Sequence, residues 1–589
     1  MARRDPHSYA DDSQPLTTSF DWTARVDFEA RVLTCSVTLV FREPSRVGPL
    51  DLDTRGLTID AVTDESGAPL PHTLHAADPI LGQRLEITLP KGASSVRIVY
   101  RTSPEASALQ WLAPAQTLGK VHPYLFSQCQ AIHARSVLPC QDTPWVRQTY
   151  TATLDVPAEL RGVMAAASRG REVQGSGPGA RALERFEMPQ PIPPYLFALA
   201  VGDVVSRDVS DRCRVWAEPA QIEAAAWEFS VVEEQLRAAE QLFGPYDWER
   251  CDLLVMPPSF PYGGMENPRL TFLTPSLLAG DRSLVSVLAH ELAHSWTGNL
   301  VTNTNAEHFW LNEGFTVFAE RRIVEALEGD ELGALHAALG YERLKQAFAQ
   351  HADHPELTRL RTHLEGVDPD EAFSAVPYEK GYLFLKSLEA AAGKERFDAL
   401  LTAWLGAHRF GAATTDDFVA LVEDKAPGLL AEVDAKAWID GPGLPPRHYE
   451  PQSKRLTAVR TLAQAGAVPG AEDAKTWTPA EWQLYLEAMP KPSSEEVCRA
   501  LDTTYGLTAS KNLEIAVSWL VLACESGYAP VLPRVKDVLG SIGRMKYLKP
   551  LYRALARRDE TRGLAKELFA EYRGTYHPIA QQVVGGMLG

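Results

Sequence analysis

Nowhere does the chain carry an apolar run approaching the ~20 residues that a bilayer-spanning helix needs. Its opening, Arg3-Arg4-Asp5-Pro6, continues into polar sequence without an apolar core, so no secretory signal is expected. Cysteine is scarce: Cys35, Cys129, Cys140, Cys213, Cys251, Cys498 and Cys524 are scattered, odd in number and never spaced as C-x-x-C. They read as the reduced thiols of an intracellular protein, and the cytoplasm is the expected location. Positive charge is also short, with 58 Lys plus Arg against 76 Asp plus Glu and a net charge of −18. So acidic a surface argues against general nucleic-acid binding and against attachment to anionic membranes. No repeat of fixed period and no low-complexity tract is present. What remains is a globular composition, 45% hydrophobic and 23% charged, over 589 residues. That length is too great for one core and predicts three or four domains.

The chain is organised around Val287-Leu288-Ala289-His290-Glu291-Leu292-Ala293-His294. Two histidines four residues apart stand on one face of a helix, so two imidazoles can grip one metal ion. Glu291 projects about 100° away around that helix, badly placed to be a ligand but near enough to take a proton from a water held there. After His294 come eighteen residues and then Glu313, in Trp310-Leu311-Asn312-Glu313-Gly314-Phe315. A carboxylate from a second helix completes the two-histidine, one-carboxylate donor set of a catalytic zinc, with one position left open. Glu320, two turns further on, can support one of the histidines from behind.

Residues 1–205 read as sheet: Val37, Leu39 and Phe41, Leu85, Ile87 and Leu89, and Val96, Ile98 and Tyr100 alternate with polar neighbours. Inside this β domain lies the polar run Ser127-Gln128-Cys129-Gln130-Ala131-Ile132-His133-Ala134-Arg135, which by composition alone reads as a buried hydrogen-bonded loop. Residues 206–440 are mixed and increasingly helical, with a helix expected from Ala220 to Phe243 and a strand from Cys251 to Met256. There Tyr262-Gly263-Gly264-Met265-Glu266-Asn267 sets two glycines before a carboxylate; from spacing alone this is a tight turn with a solvated glutamate. Glycine and proline crowd residues 441–451, which read as a linker. Residues 452–589 carry helical periodicity, with Thr478 and Pro479 as a start signal, and predict packed antiparallel helices. One stretch, Arg534 to Arg558, holds eight Lys or Arg and a single acid, Asp537; such a run is usually a solvated helical face.

These motifs together resemble the M1-type gluzincin aminopeptidases, in the branch of leukotriene A4 hydrolase and aminopeptidase B. The matching residues are Tyr262 to Asn267, His290 to His294 with Glu313, Val376-Pro377-Tyr378-Glu379-Lys380-Gly381, the run from Ser127 to Gln141, and Gly543-Arg544-Met545-Lys546. The resemblance covers nearly the whole chain. It implies a multidomain α+β fold: an N-terminal β saddle, a thermolysin-like α/β catalytic domain and a C-terminal all-α, armadillo-like helical domain. It implies one zinc ion on His290, His294 and Glu313, with Glu291 and Tyr378 catalytic. Glu266 would hold the substrate's free α-amino group with help from Gln130, Gly263 and Gly264 would lie along the peptide backbone, and Ala131, Met265 and Asn267 would also bind substrate. The bland readings of the polar run and of the glycine turn are thereby set aside.

The reaction so implied is hydrolysis of the N-terminal peptide bond of short peptides. A carboxylate that demands an ammonium partner restricts a peptidase to the first residue. Asp370 matches the aspartate at the end of the family's first-residue pocket and would favour Arg or Lys, with Gln128 adding a hydrogen bond and Tyr262 and Phe309 as walls. The sequence Asp368-Pro369-Asp370-Glu371 leaves open that Asp370 caps a helix instead. Phe373 stands where the hydrolase branch has a tyrosine. Arg544 and Lys546 match the residues that bind the substrate's C-terminal carboxylate. Glu379 and Lys380 read as surface or local ion-pair residues. The expected partners are short peptides with a free N-terminus, not nucleic acid or membrane, and the chain is expected to be a monomer. Two other classes compete: a bifunctional lipid epoxide hydrolase, and an inactive zinc-binding scaffold, which the presence of both Glu291 and Tyr378 disfavours.

Overall fold

The computed structural model describes residues 3–44 and 48–589. Three apolar cores organise them. The first is built on a seven-stranded sheet in the order Ala167–Gln174, Arg181–Ile192, Gln148–Pro157, Thr17–Asp27, Val32–Phe41, Ser95–Arg101 and Thr58–Thr63. Along Val32–Phe41 the buried side chains are Leu33, Cys35, Val37, Leu39 and Phe41, the alternation that a sheet with one covered face requires. Trp22 and Tyr100 close this core from neighbouring strands, the indole N–H donating to the phenol oxygen at 2.8 Å.

The second core lies under a mixed five-stranded sheet, ordered Val205–Asp208, Arg214–Ala217, Asp252–Val255, Leu270–Leu273 and Gly264–Met265. The short outer strand Gly264–Met265 runs antiparallel to Leu270–Leu273 and carries the double-glycine motif at the sheet's edge. The same core takes in four helices that frame the site: α1 (Ser286–Ala293), α2 (Trp310–Glu328), α3 (Asp330–Gln350) and α4 (Gly381–Ala392). The single helix expected over Ala220–Phe243 is two, Ile222–Glu228 and Val232–Phe243, broken by a tight turn at Phe229–Val231. Ser230, Val231 and Val232 are poor helix formers, and the break lets Phe229 and Val232 both reach the core.

No regular element spans residues 441–453, and beyond them the chain is helical to its end. Pro479–Ala488 starts at the Thr478 cap with Glu481 closing the box, and Leu513–Glu525 starts at Asn512, whose side chain accepts from the Glu514 and Ile515 N–H groups. This third core reaches back to Val324, Leu332, Leu335 and Ala338 of α2 and α3, so the helical part is seated on the catalytic part. None of the described helices is long and apolar enough to cross a membrane.

Candidate active site and metal centre

Helix α1 carries His290 and ends where His294 caps it, with the two rings nearly perpendicular and their centroids 4.9 Å apart. Each Nδ1 is occupied on the side away from the site. His290 Nδ1 lies 3.0 Å from Glu320 Oε2, and His294 Nδ1 lies 3.1 Å from both the Thr297 carbonyl and Thr316 Oγ1. Both Nε2 atoms are thereby left to face one point, the orientation that ligating histidines need. Glu313, in the first turn of α2, completes it: its Oε2 is 3.6 Å from each Nε2.

Those separations test the fit of a metal ion. Two ligand atoms each ~2.1 Å from a tetrahedral ion lie roughly 3.4 Å apart. Glu313 Oε2 is buried, and none of the described residues donates a hydrogen bond to it, an orphaned acceptor that a cation would satisfy. Burial drives His294 down to about 4, so it is a neutral ligand at physiological pH. Burial opposes protonation of His290 as well, but Glu313 and Glu320 outweigh it and raise that imidazole, the response of a site rich in carboxylates. The donor set and its surroundings fit one zinc ion.

Around this centre opens a cavity of about 970 Å³. Glu291 lines it, with burial pushing its carboxyl up to about 8. Glu266 lines it too; it is only 4% exposed, and burial raises its carboxyl to about 7. Gln130 Nε2 donates to Glu266 Oε1 at 3.4 Å. Tyr378 stacks over His290 with ring centroids 6.3 Å apart, and burial with the Glu313 charge keeps its hydroxyl protonated far above neutral pH.

Two glycines bring Tyr378 to the metal ligands. A Cβ on Gly314 would stand 2.7 Å from Gly381 Cα, and one on Gly381 would stand 2.8 Å from Gly314 Cα. Helix α2 and the segment leading into α4 thus touch backbone to backbone directly after Glu313, which no other residue pair would allow. Residues Val376–Lys380 form a single wide turn of π-helix, a distortion often found at functional sites. Its other side chains are not at the surface. Glu379 is buried between Arg321 Nη2 at 2.7 Å and Arg343 Nη2 at 3.0 Å, and buried Lys380 donates to the carbonyls of Thr358 and Gly441 at 2.8 Å each. The ion-pair reading of Glu379 holds; the surface reading of both residues is corrected, because they anchor this turn from beneath.

The remaining residues singled out by the sequence divide. Gln128, Gln130, Tyr262, Gly264, Met265, Asp370 and Phe373 line the main cavity. Ala131 and Phe309, with Gln130 and Phe373, line a narrower apolar branch of about 60 Å³. The capping of the turn Pro369–Ala372 falls to Asp368, whose side chain accepts from the Asp370 N–H, so Asp370 is free for the cavity. Asn267 stands off the cavity, buried, its carbonyl closing a turn onto Leu270 N–H. Arg544 donates to Ser276, Tyr547 and Glu514, and a Cβ on Gly263 would lie 3.2 Å from its Nη2, so the guanidinium reaches the edge strand. Gly543 N–H donates to the Pro258 carbonyl at 2.8 Å, which ties this loop to the segment before the double glycine. Lys546 lines a different hollow and is neutralised by Glu514 at 2.6 Å. His133, Arg55 and Ser107 also converge here, and no spacing in the sequence marks them as a group.

Comparison with known proteins agrees with this geometry along the whole chain. Residues 16–196 match the peptidase M1 N-terminal domain, residues 227–438 the peptidase family M1 domain, and residues 477–588 the leukotriene A4 hydrolase C-terminal domain. Leukotriene A-4 hydrolase of Xenopus laevis is 39% identical over 601 residues, which cover 98% of this chain and 98% of the relative. Leucine aminopeptidase 2 of Neosartorya fischeri is 37% identical over 612 residues, covering 99% and 97%. The native leukotriene A4 hydrolase from Saccharomyces cerevisiae superposes with a TM-score of 0.91 at 33% identity, over 99% of this chain and 97% of that one. The chain belongs to the M1 family of zinc peptidases, in its leukotriene A4 hydrolase branch.

Proposed function

We propose that the protein is a zinc aminopeptidase that removes the first residue of short peptides, with a preference for arginine or lysine. The observation that carries the reading is Glu266. It is a buried carboxylate on the wall of the main cavity, and among the described residues no cation lies within ion-pair distance of it. An uncompensated buried carboxylate is costly, and the α-ammonium of a free N-terminus is the partner that would relieve it. With the ammonium held there and by Gln130, a peptide can extend along the edge strand Gly264–Met265, whose outer side has no strand beside it among the described residues.

When bound by His290, His294 and Glu313, zinc supplies the positive charge that acidifies a water and polarises the scissile carbonyl. Glu291 takes the water's proton and passes it to the leaving amine as the C–N bond breaks. Tyr378 donates its phenolic hydrogen bond to the oxyanion that develops on the carbonyl. Asp370 on the cavity wall would meet a basic first side chain, and Arg544 beside Gly263 would meet a terminal carboxylate. All seven cysteines are free, and with this small-substrate chemistry we place the enzyme in the cytoplasm as a monomer.

A second reading, opening of a lipid epoxide, has the apolar branch in its favour, lined by Ile132, Phe309, Leu360, Pro369 and Phe373. Its free volume is about 60 Å³, against about 970 Å³ for the main cavity. A long acyl chain would have to push side chains aside, and Phe373 offers no hydroxyl, so this activity ranks second. The test is a release assay on arginyl, alanyl and leucyl amides, their N-acetylated forms and a lipid epoxide, with and without a zinc chelator. Zinc-dependent release from free amines alone is expected. Equal cleavage of N-acetylated substrates would overturn the assignment of Glu266, and faster epoxide than amide turnover would reverse the two readings.

A further inference from the structure

Asp370 is held from behind by the β domain. Its Oδ2 lies 2.7 Å from His133 Nε2. On the other side of the imidazole, Nδ1 faces Arg55 Nη1 at 3.1 Å and Ser107 Oγ at 2.8 Å. A guanidinium has only donors, so Nδ1 must be the accepting nitrogen and the ring proton must sit on Nε2. His133 therefore donates to Asp370 as a neutral ring. Arg55 follows the strand Gly48–Thr54, Ser107 precedes the strand Leu109–Leu112, and His133 lies in the polar run that composition alone read as a structural loop. Asp370 comes from the catalytic part of the chain, more than two hundred residues later.

We propose that His133, backed by Arg55 and Ser107, is the positioning residue of the first-residue pocket, fixing the Asp370 carboxylate in one orientation for a guanidinium or ammonium side chain. The inference rests on the reading of Asp370 as part of that pocket. His133, Ser107, Asp370 and Tyr262 all line the main cavity. The Asp370 side chain stays 43% exposed, and a carboxylate has about four acceptor positions, so the bond to His133 leaves capacity for substrate. Burial alone would raise the Asp370 carboxyl. The His133 hydrogen bond, the Ala131 N–H and the Arg55 charge oppose it, and Asp370 stays below the ordinary carboxylate range. Across the cavity, burial and the Asp370 charge push the Tyr262 hydroxyl up to about 12, so it stays a neutral donor. Without His133 the carboxylate keeps its charge but loses the bond that aims it.

The test compares kcat and KM for arginyl and alanyl amides in the unaltered holoenzyme, His133→Phe, His133→Gln, Asp370→Asn and the double variant His133→Phe/Asp370→Asn. In His133→Phe the arginyl substrate should lose about tenfold more kcat/KM than the alanyl one, the worth of one hydrogen bond to a charged group, with the excess in KM. Gln can donate from the position of Nε2 and should recover most of that ratio. The double variant should discriminate no worse than Asp370→Asn alone, because His133 acts through Asp370. Equal losses for both substrates in His133→Phe would show a merely structural role and overturn the proposal. So would an unchanged ratio in His133→Phe while Asp370→Asn loses its preference, and the pocket reading would then survive. If Asp370→Asn itself keeps the arginine preference, the pocket reading falls, and this inference with it. Should His133→Phe fail to fold, Ser107→Ala decides: a reduced arginyl-to-alanyl ratio supports the proposal and an unchanged ratio refutes it.

Discussion

Replacing Gly264 by alanine should disable the proton carrier without disturbing the metal ligands. A Cβ at Gly264 would stand 2.7 Å from Glu291 Cδ and 3.0 Å from its Cγ. Ordinary carbon contacts lie at about 3.5–4.0 Å, so one side must yield by roughly 1 Å. The strand cannot: Gly264 pairs with Leu273, the Gly263 carbonyl accepts from Thr274 N–H at 2.9 Å, and Met265 is buried. Glu291 borders open cavity and will swing away. A 1 Å misplacement of a reacting group costs about a hundredfold, within the ~10²–10⁴-fold that general base catalysis contributes. Turnover of an arginyl amide should therefore fall about a hundredfold with one zinc per chain retained, since the nearest atoms to the new methyl all belong to Glu291. The assay is steady-state kcat beside metal analysis of the same sample. Gly263→Ala is the internal comparison, because its Cβ meets Arg544 Nη2 and should raise KM for tripeptide acids instead. Turnover of Gly264→Ala within threefold of the unaltered enzyme, or loss of the metal, would refute the placement of Glu291.

Glu266→Ala should raise KM for free-amine substrates about ten- to a hundredfold, the worth of ~1.5–3 kcal/mol in a charged hydrogen bond, and titration of initial rates will read it. Glu379→Ala strands Arg321, whose side chain is 3% exposed, and should cost about 3–5 kcal/mol in denaturant unfolding of the catalytic part; a loss below ~1 kcal/mol would mean the pair is not buried in solution. Because Asp370 titrates below the ordinary carboxylate range, it is ionised at neutral pH and gains its proton only as pH falls through that lowered value. The arginyl-to-alanyl ratio of kcat/KM should thus stay flat from pH 8 to about 5, below which the carboxylate range of ~3.9 is approached. Metal loss in acid affects both substrates equally and cancels in the ratio; a ratio that collapses near pH 6 would contradict the ionised Asp370.

What the sequence reveals of this site follows from how far apart its parts lie along the chain. His290, Glu291 and His294 sit within one turn and a half of α1, so helical geometry alone sets which side chains share a face. Glu313 could be added because it too heads a helix at a short remove. Glu266 and Tyr378 have no such local mark. A glutamate after two glycines and one tyrosine among eighteen carry no geometry of their own, and only resemblance to a family gave them roles. Asp370 shows where local reasoning stops. Asp368 and Asp370 are both acidic residues at the start of a turn, and the choice of cap depends on which carboxylate finds a better partner elsewhere. That partner, His133, and the Arg55 and Ser107 behind it arrive from the β domain, across sequence separations that no periodicity encodes. The same holds beneath Tyr378. Glu379 and Lys380 look like surface charges until α2 supplies Arg321, and the segments at Thr358 and Gly441 supply two carbonyls. Gly314 and Gly381, unremarkable where they stand in the sequence, become necessary once their backbones meet. On the proposed reading of Asp370, discrimination between substrates is built from contacts across distant parts of the chain, while the metal ligands lie close together in it. A substitution far from the zinc, at Arg55 or Ser107, should on this logic change which residue is released sooner than it changes whether the metal binds.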